Sequence, residues 1–293
     1  LLWFYLALAG TAAWAICNLI DKYLISGFFR KPAVPLFIGG IVQIILGFLA
    51  IAIFGFDYSN INAVAIVFLS GFLGFVASFF YFKALVHEEV SRVIPVMNAI
   101  PIWVVIIAIA FLGEAISALQ GLGILLLLTG AVLVSLKKAG KWELGRSFKI
   151  MLLASVLYAL EFVLLKYGLG LLEFWNVFFW SNIGFAAGSM GLFVLNRAEI
   201  IETLKRFRKE SVLSAANESL SVIGYILIMM SFAAGLVSLS TAITVTQPVF
   251  VLVFATSLSI FWPRIIKEEL RAGVLALKII AIGLTVIGSL LLI

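Results

Sequence analysis

The chain has 293 residues, of which 64% are apolar and 12% charged, and its 20 Lys and Arg against 14 Asp and Glu leave a net charge of +6. An ordinary soluble domain is about 25% charged, so this composition, with a mean hydropathy of +1.24, excludes one. Nucleic acid is excluded as a partner, because the basic residues sit in short connections between apolar runs of about 17–25 residues, each enough to cross about 30 Å of hydrocarbon as a helix.

Those runs do not alternate polar with apolar residues, as barrel strands would, and they predict an all-α membrane protein. Ten spans are expected, at 3–22, 33–54, 61–82, 90–112, 119–136, 148–168, 174–195, 213–232, 237–262 and 273–293. The first carries Trp14, Cys17 and Asn18; it lacks a basic flank and recurs near residue 150, so it reads as a span, not a signal peptide. The sequence opens without Met and closes within an apolar run, so native tails are expected beyond it. The third span holds Gly71 and Gly74 and is followed by His87-Glu88-Glu89, read as a polar connection. The fourth contains Asn98, Pro101 and Trp103, and the fifth Gly123 and Gly130. A basic connection, 137–149, leads to the sixth span with Tyr158, Glu161 and Lys166. After the seventh, with Gly184 and Gly188, residues 196–211 put Ile200, Ile201, Leu204 and Phe207 on one helical face. That suits a short amphipathic helix on the membrane surface, with a solvated charge run as the alternative. The eighth span has Asn217, Glu218 and Tyr225, the ninth Gln247 and Pro248, and the tenth Lys278. Trp3, Trp142, Trp175 and Trp262 fall near span ends, as an interfacial belt would.

The two halves repeat. Pro101 lies eleven residues after Val90-Ser91, and Pro248 eleven after Val237-Ser238, an offset of 147. Trp14-Ala15 with Lys22-Tyr23 recurs as Tyr158-Ala159 with Lys166-Tyr167, an offset of 144. Self-similarity at half length in an apolar chain points to a transporter built from two membrane repeats. Residues 1–136 form the first five-helix repeat and 150–293 the second. Of the 20 Lys and Arg, 18 flank the odd-numbered connections: Lys22, Arg30 and Lys31; Lys83 and Arg92; five in 137–149; five in 196–211; then Arg264, Lys267 and Arg271. The positive-inside rule puts those connections in the cytoplasm and both termini outside. Equivalent connections of the two halves then face opposite sides, so the repeats are inverted.

Mid-span polar residues mark the candidate site. Each proline removes a backbone donor and frees a carbonyl, at Met97 and at Thr244; in a membrane such a break is tolerated where protein or a wet cavity satisfies it. Pro101 and Pro248 are therefore read as helix breaks with a gating role, and Asn98 and Gln247 beside them as cavity lining. Glu161 is an ionisable group near mid-depth, costing about 2.5 kcal/mol or more unless it meets water or a partner; a cation contact or proton relay is one reading, a protonated structural carboxyl the other. Glu218 is either site or, paired with Lys278, scaffold. Trp14, Trp103 and Tyr158 are candidates to stack a substrate. The expected substrate-binding set is Trp14, Asn18, Asn98, Trp103, Tyr158, Glu161, Glu218, Tyr225 and Gln247. One His and one Cys cannot build the common zinc sites, and HExxH, GxSxG and Walker patterns are missing from the sequence. No enzyme, metal or cofactor is expected.

The stretch Tyr81-Phe82-Lys83-Ala84-Leu85, Val90-Ser91, Pro101-Ile102-Trp103, Leu112-Gly113-Glu114 and Gly121 to Gly130 resembles the ten-helix EamA-type members of the drug/metabolite transporter superfamily. The second copy keeps Pro248 but has Lys267-Glu268-Glu269 in place of the Gly-Glu turn. The resemblance implies ten transmembrane helices as two inverted five-helix repeats around a central cavity, and secondary transport of small metabolites. It also implies cytoplasmic termini, against the charge distribution. Related four-helix exporters carry an essential Glu on the first helix, and Glu161 lies on the equivalent sixth, one turn from the position that Tyr158 takes.

The leading function is a secondary transporter, an exporter or exchanger of a small polar metabolite such as an amino acid, in a prokaryotic inner membrane, as monomer or homodimer. The alternatives are exchange of a nucleotide-sugar or lipid-linked sugar, which wants basic residues at mid-depth, and a non-transporting scaffold or receptor. The orientation has a direct test. A Cys introduced at Lys141 in a Cys17→Ala background is expected to resist a membrane-impermeant thiol reagent added to intact cells, and rapid labelling would show the opposite topology.

Overall fold

The computed structural model describes residues 1–56, 60–87, 96–136, 146–251, 253–254 and 272–293. The described residues form ten α-helices: α1 (Leu2–Leu24), α2 (Ala33–Phe54), α3 (Ile61–His87), α4 (Ile100–Leu112), α5 (Ala118–Leu136), α6 (Arg146–Leu169), α7 (Phe174–Arg206), α8 (Arg208–Ala234), α9 (Val237–Thr244) and α10 (Ala272–Leu290). A π-helical turn, Ile25–Phe29, closes α1. Val90, Ser91, Trp142, Trp262, Lys141, Glu88, Glu89 and the Lys267–Glu269 stretch lie outside the described residues, as does the side chain of Lys278.

The all-α class holds, but the count of ten spans is only partly carried. Six helices are long and apolar enough to cross a membrane unaided: Leu2–Phe29, Ala33–Phe54, Ile61–Val86, Phe148–Leu169, Phe174–Arg206 and Arg208–Ala234. Shorter apolar helices occupy Ile100–Leu112, Ala118–Gly130 and Val237–Val251. The helical pattern is interrupted before each proline, at Asn98-Ala99 and again at Val245-Thr246.

Helices pack mainly on partners from the other half. α1 packs on α8 and α3 on α6; α4 on α6 and α1 on α9; α3 on α7 and α2 on α8; and α2·α7, α5·α10 and α4·α9 also pair. Exchanging each helix for the one five places along maps this pattern onto itself.

Residues lacking a side chain make the closest approaches. A Cβ at Gly10 would lie 2.8 Å from the Gly224 carbonyl oxygen. Gly123 and Gly288 face each other reciprocally, each 2.8 Å from the other's carbonyl oxygen by the same measure. At Gly71 and Gly184 a Cβ would overlap the backbone of Ser181 and Phe68.

Two apolar clusters lie toward opposite ends of the helices. One includes Phe4, Ala7, Val104, Phe178, Phe232 and Val237. The other includes Leu24, Phe29, Val34, Leu85, Met151 and Ile200. This second cluster corrects the reading of 196–211. The segment is helical, a continuation of α7 beyond a kink at Asn196 (φ −125°, ψ 22°). Its apolar face, however, is covered by the chain itself: Ile200 is fully buried, Leu204 and Phe207 pack on the cluster, and Phe207 meets Phe28 edge-on at 5.6 Å. The π-helical turn supplies the surface that lipid was expected to supply.

Gly184→Ala is expected to lower the unfolding midpoint in detergent, at about 1–3 kcal/mol for overpacking. Gly191→Ala should be neutral, because an added Cβ there meets nothing within 4 Å. Equal thermal stability of the two variants would show that close backbone approach is not what holds α3 to α7.

Candidate functional site

Between the two apolar clusters the helices leave a cavity of about 190 Å³, many times the roughly 10–15 Å³ that one water needs. Helical spacing builds its walls. Trp14, Cys17, Asn18 and Asp21 of α1 line it, at i, i+3, i+4 and i+7; Glu218, Ser221, Val222 and Tyr225 of α8 line it with the same spacing. α6 adds Tyr158, Glu161 and Phe162, and α3 adds Gly71, Gly74, Ser78 and Tyr81. The helix breaks contribute in register, Met97, Asn98 and Ile100 before Pro101, and Thr244 and Gln247 before Pro248.

Hydrogen bonds tie α1 to α8 along this wall. The Trp14 indole N–H donates to the Ser221 carbonyl at 3.1 Å, the Cys17 thiol to the Asn217 carbonyl at 3.5 Å, and the Asn217 amide to Asp21 Oδ1 at 2.7 Å. Opposite them, the Tyr158 and Ser78 hydroxyls are 2.9 Å apart and the Tyr81 hydroxyl donates to Asn18 Oδ1 at 3.2 Å. Trp14 and Phe162 lie parallel, 6.4 Å apart at 7°.

Glu161 is 6% exposed. Its carboxyl rests on the backbone of Gly74, where a Cβ would come within 2.6 Å of it, and Oε2 has no hydrogen-bond partner. Glu218 rests likewise against Gly39, 3.1 Å from where a Cβ would stand. The amide nitrogens of Asn18, Asn98 and Asn182 are buried without partners too.

Of the nine residues expected at a substrate site, eight line this cavity and Trp103 does not. Trp103 sits on the α4 face turned to α6, where its indole N–H donates to Ser155 Oγ at 3.2 Å; it packs on the core instead. Pro101 and Pro248 stand just behind the lining breaks and are buried. Sequence reasoning passed over Asp21, Gln43, Ser78, Tyr81 and Asn182, all on the wall. Asp21 had a usable signal, one further step of the Trp14–Asn18 face; it was lost because it falls at the end of the span.

Toward one end of these helices, two charged side chains satisfy backbone groups. Gly113 takes a left-handed conformation (φ 67°) that ends α4, and the next residue, Glu114, turns inward to 8% exposure. Its carboxylate accepts the backbone N–H of Val237 at 2.7 Å and of Ser238 at 3.1 Å, satisfying the first donors of α9. Lys166 donates to the carbonyls of Phe232 and, at 2.9 Å, of Gly235, where α8 ends. Its repeat counterpart Lys22 donates to the Leu85 carbonyl at 3.2 Å, and Leu85 precedes Phe232 by the offset of the prolines.

Residues 1–136 match the EamA-like transporter family. The resemblance to the drug/metabolite transporter superfamily holds for that segment, and the protein is an integral, multi-pass membrane protein. No curated protein matches the chain. A solved structure, described as a crystal structure of a protein, superposes with a TM-score of 0.68, covering 99% of this chain and 95% of its own at 18% identity. At that identity it shows the fold alone, but over both halves.

Glu114→Gln keeps the shape and loses the charge that complements the α9 start, a contribution of about 0.3–1 kcal/mol at exposed helix ends and up to about 2 when partly buried. The variant is expected to unfold at lower temperature than wild type, and Glu199→Gln, which breaks the exposed pair with Lys31 at 2.7 Å, to change little. A Glu114→Gln midpoint at the wild-type value would remove the carboxylate from the α4–α9 corner.

Proposed function

We propose that this chain is a secondary transporter of small polar metabolites, an exporter or exchanger of amino acids or related compounds in a prokaryotic inner membrane. The observation that carries the reading is the polar cavity between two apolar clusters, with Glu161 and three buried amide nitrogens unpartnered in it. Buried polar groups without partners are costly, and a cargo or water that satisfies them accounts for their retention. A scaffold that binds no small molecule has no such use for them.

Alternating access between two inverted five-helix repeats is the mechanism proposed. It is supported by the pairing pattern that survives exchange of the halves; five spans in each half, an odd number, would reverse direction from one repeat to the next. The breaks before Pro101 and Pro248 give each half a point where a helix can bend. The Glu114–α9 and Lys166–α8 contacts lie toward one end, and the Lys22–Leu85 contact is their counterpart at the other. Exchange of a nucleotide-sugar is the less supported reading, since among the described residues lining the cavity none is Lys, Arg or His.

Purified protein in proteoliposomes is expected to take up or exchange components of a labelled mixture of small polar metabolites, and no transport of any would reject the reading. Glu161 is the proposed site of proton coupling. Glu161→Gln should fold, insert and lose the pH dependence of transport, whereas transport with the wild-type pH profile would reject that role.

A further inference from the structure

The cavity is chemically one-sided. Asp21, Glu161 and Glu218 all line it, and the described residues around it include no basic side chain. Asp21 accepts the amide of Asn217, the residue next to Glu218, at 2.7 Å. The nearest basic residue in sequence, Lys22, donates to the Leu85 carbonyl and does not line the cavity.

An acidic cluster by itself decides nothing, but one of these carboxylates is buried, aimed into the cavity and unpartnered: Glu161, 6% exposed, with Oε2 free of any hydrogen bond. The other walls suit the same class of ligand. Trp14 stacked on Phe162, with Tyr158 and Tyr225 on the wall, offers aromatic faces, which attract ammonium groups. The free amide nitrogens of Asn18, Asn98 and Asn182 are donors, suited to a neutral oxygen. A carboxylate brought in by the cargo would face these three acidic groups in a low-dielectric site, where like charges repel strongly.

We infer that the cargo is a small organic amine in its protonated, net cationic form, held by Asp21, Glu161 and Glu218 and carrying no carboxylate of its own. This inference rests on the transport reading above; within small polar metabolites it favours amines over amino acids, which bring a carboxylate with them.

A series of four-carbon compounds matched in size tests it on the wild-type protein in nanodiscs: putrescine, 4-aminobutanol, 4-aminobutyrate and succinate. A ligand that binds the folded state raises the unfolding midpoint in a concentration-dependent way. Putrescine and 4-aminobutanol should each give a saturable rise, with apparent Kd at least tenfold lower than that of 4-aminobutyrate, and succinate should give none. The double variant Asp21→Asn/Glu218→Gln should weaken putrescine at least tenfold while keeping wild-type helicity and a single elution peak. Should that variant not fold, the charge series on the wild-type protein decides alone. Binding of 4-aminobutyrate or succinate within tenfold of the amines overturns the cationic assignment and leaves the transport reading standing. Binding of none of the four also overturns it, and uptake from the metabolite mixture then shows whether the transport reading falls too.

Discussion

A helix that ends or breaks inside a membrane protein exposes backbone groups that neither lipid nor water satisfies, and the arrangement of this chain depends on how those groups find partners. The α8–α9 corner shows it most directly. α8 ends in carbonyls that Lys166 collects and α9 begins with amides that Glu114 collects. Glu114 can reach because Gly113 adopts a left-handed turn closed to most side chains. A Gly-Glu pair and a lone span-end lysine, unremarkable singly, thus hold the helix whose later break lines the cavity.

The same accounting explains the interruptions at Asn98-Ala99 and Val245-Thr246. Tight turns replace helical bonds there: the Ala99 N–H reaches the Val96 carbonyl at 3.1 Å and the Thr246 N–H the Ile243 carbonyl at 2.9 Å. The proline that follows each break cannot donate, and the residues just before it turn toward the cavity. Polar surface at mid-depth follows from the breaks, and the glycine contacts let the helices enclose it. Because α1, α2 and α3 pack on α8, α7 and α6, both halves contribute to every wall.

The scaffold repeats while its chemistry does not. With the offset of 144, Glu161 corresponds to Cys17; with that of 147, Glu218 corresponds to Gly71 and Tyr225 to Ser78. Glycines lie beneath both acids, Gly74 under Glu161 and Gly39 under Glu218. The acidic side chains are thus distributed unevenly over the two halves.

What the sequence determined by itself is what short-range rules govern. Apolar run length and the 3.6-residue period set 33–54 without error and 148–168 to within two residues, but ended 174–195 too early, since that helix runs on to Arg206. Paired offsets pointed to a repeat, and mid-span polarity singled out Trp14, Asn18, Tyr158, Glu161 and Tyr225, because in a membrane segment a polar residue has few reasons to be there. Tertiary structure alone decided the rest. Trp103 and Trp14 look alike in sequence, yet one turns to Ser155 and the other to the cavity, a matter of which neighbour each helix face meets. The apolar face of 197–207 could serve lipid or protein equally well until the turn at 25–29 folded over it. Asp21 shares the helical face of Trp14 and Asn18, but the amide that meets its carboxyl belongs to Asn217, 196 residues away. Such partners are set by helix packing across the two halves, and no local pattern along the chain encodes them.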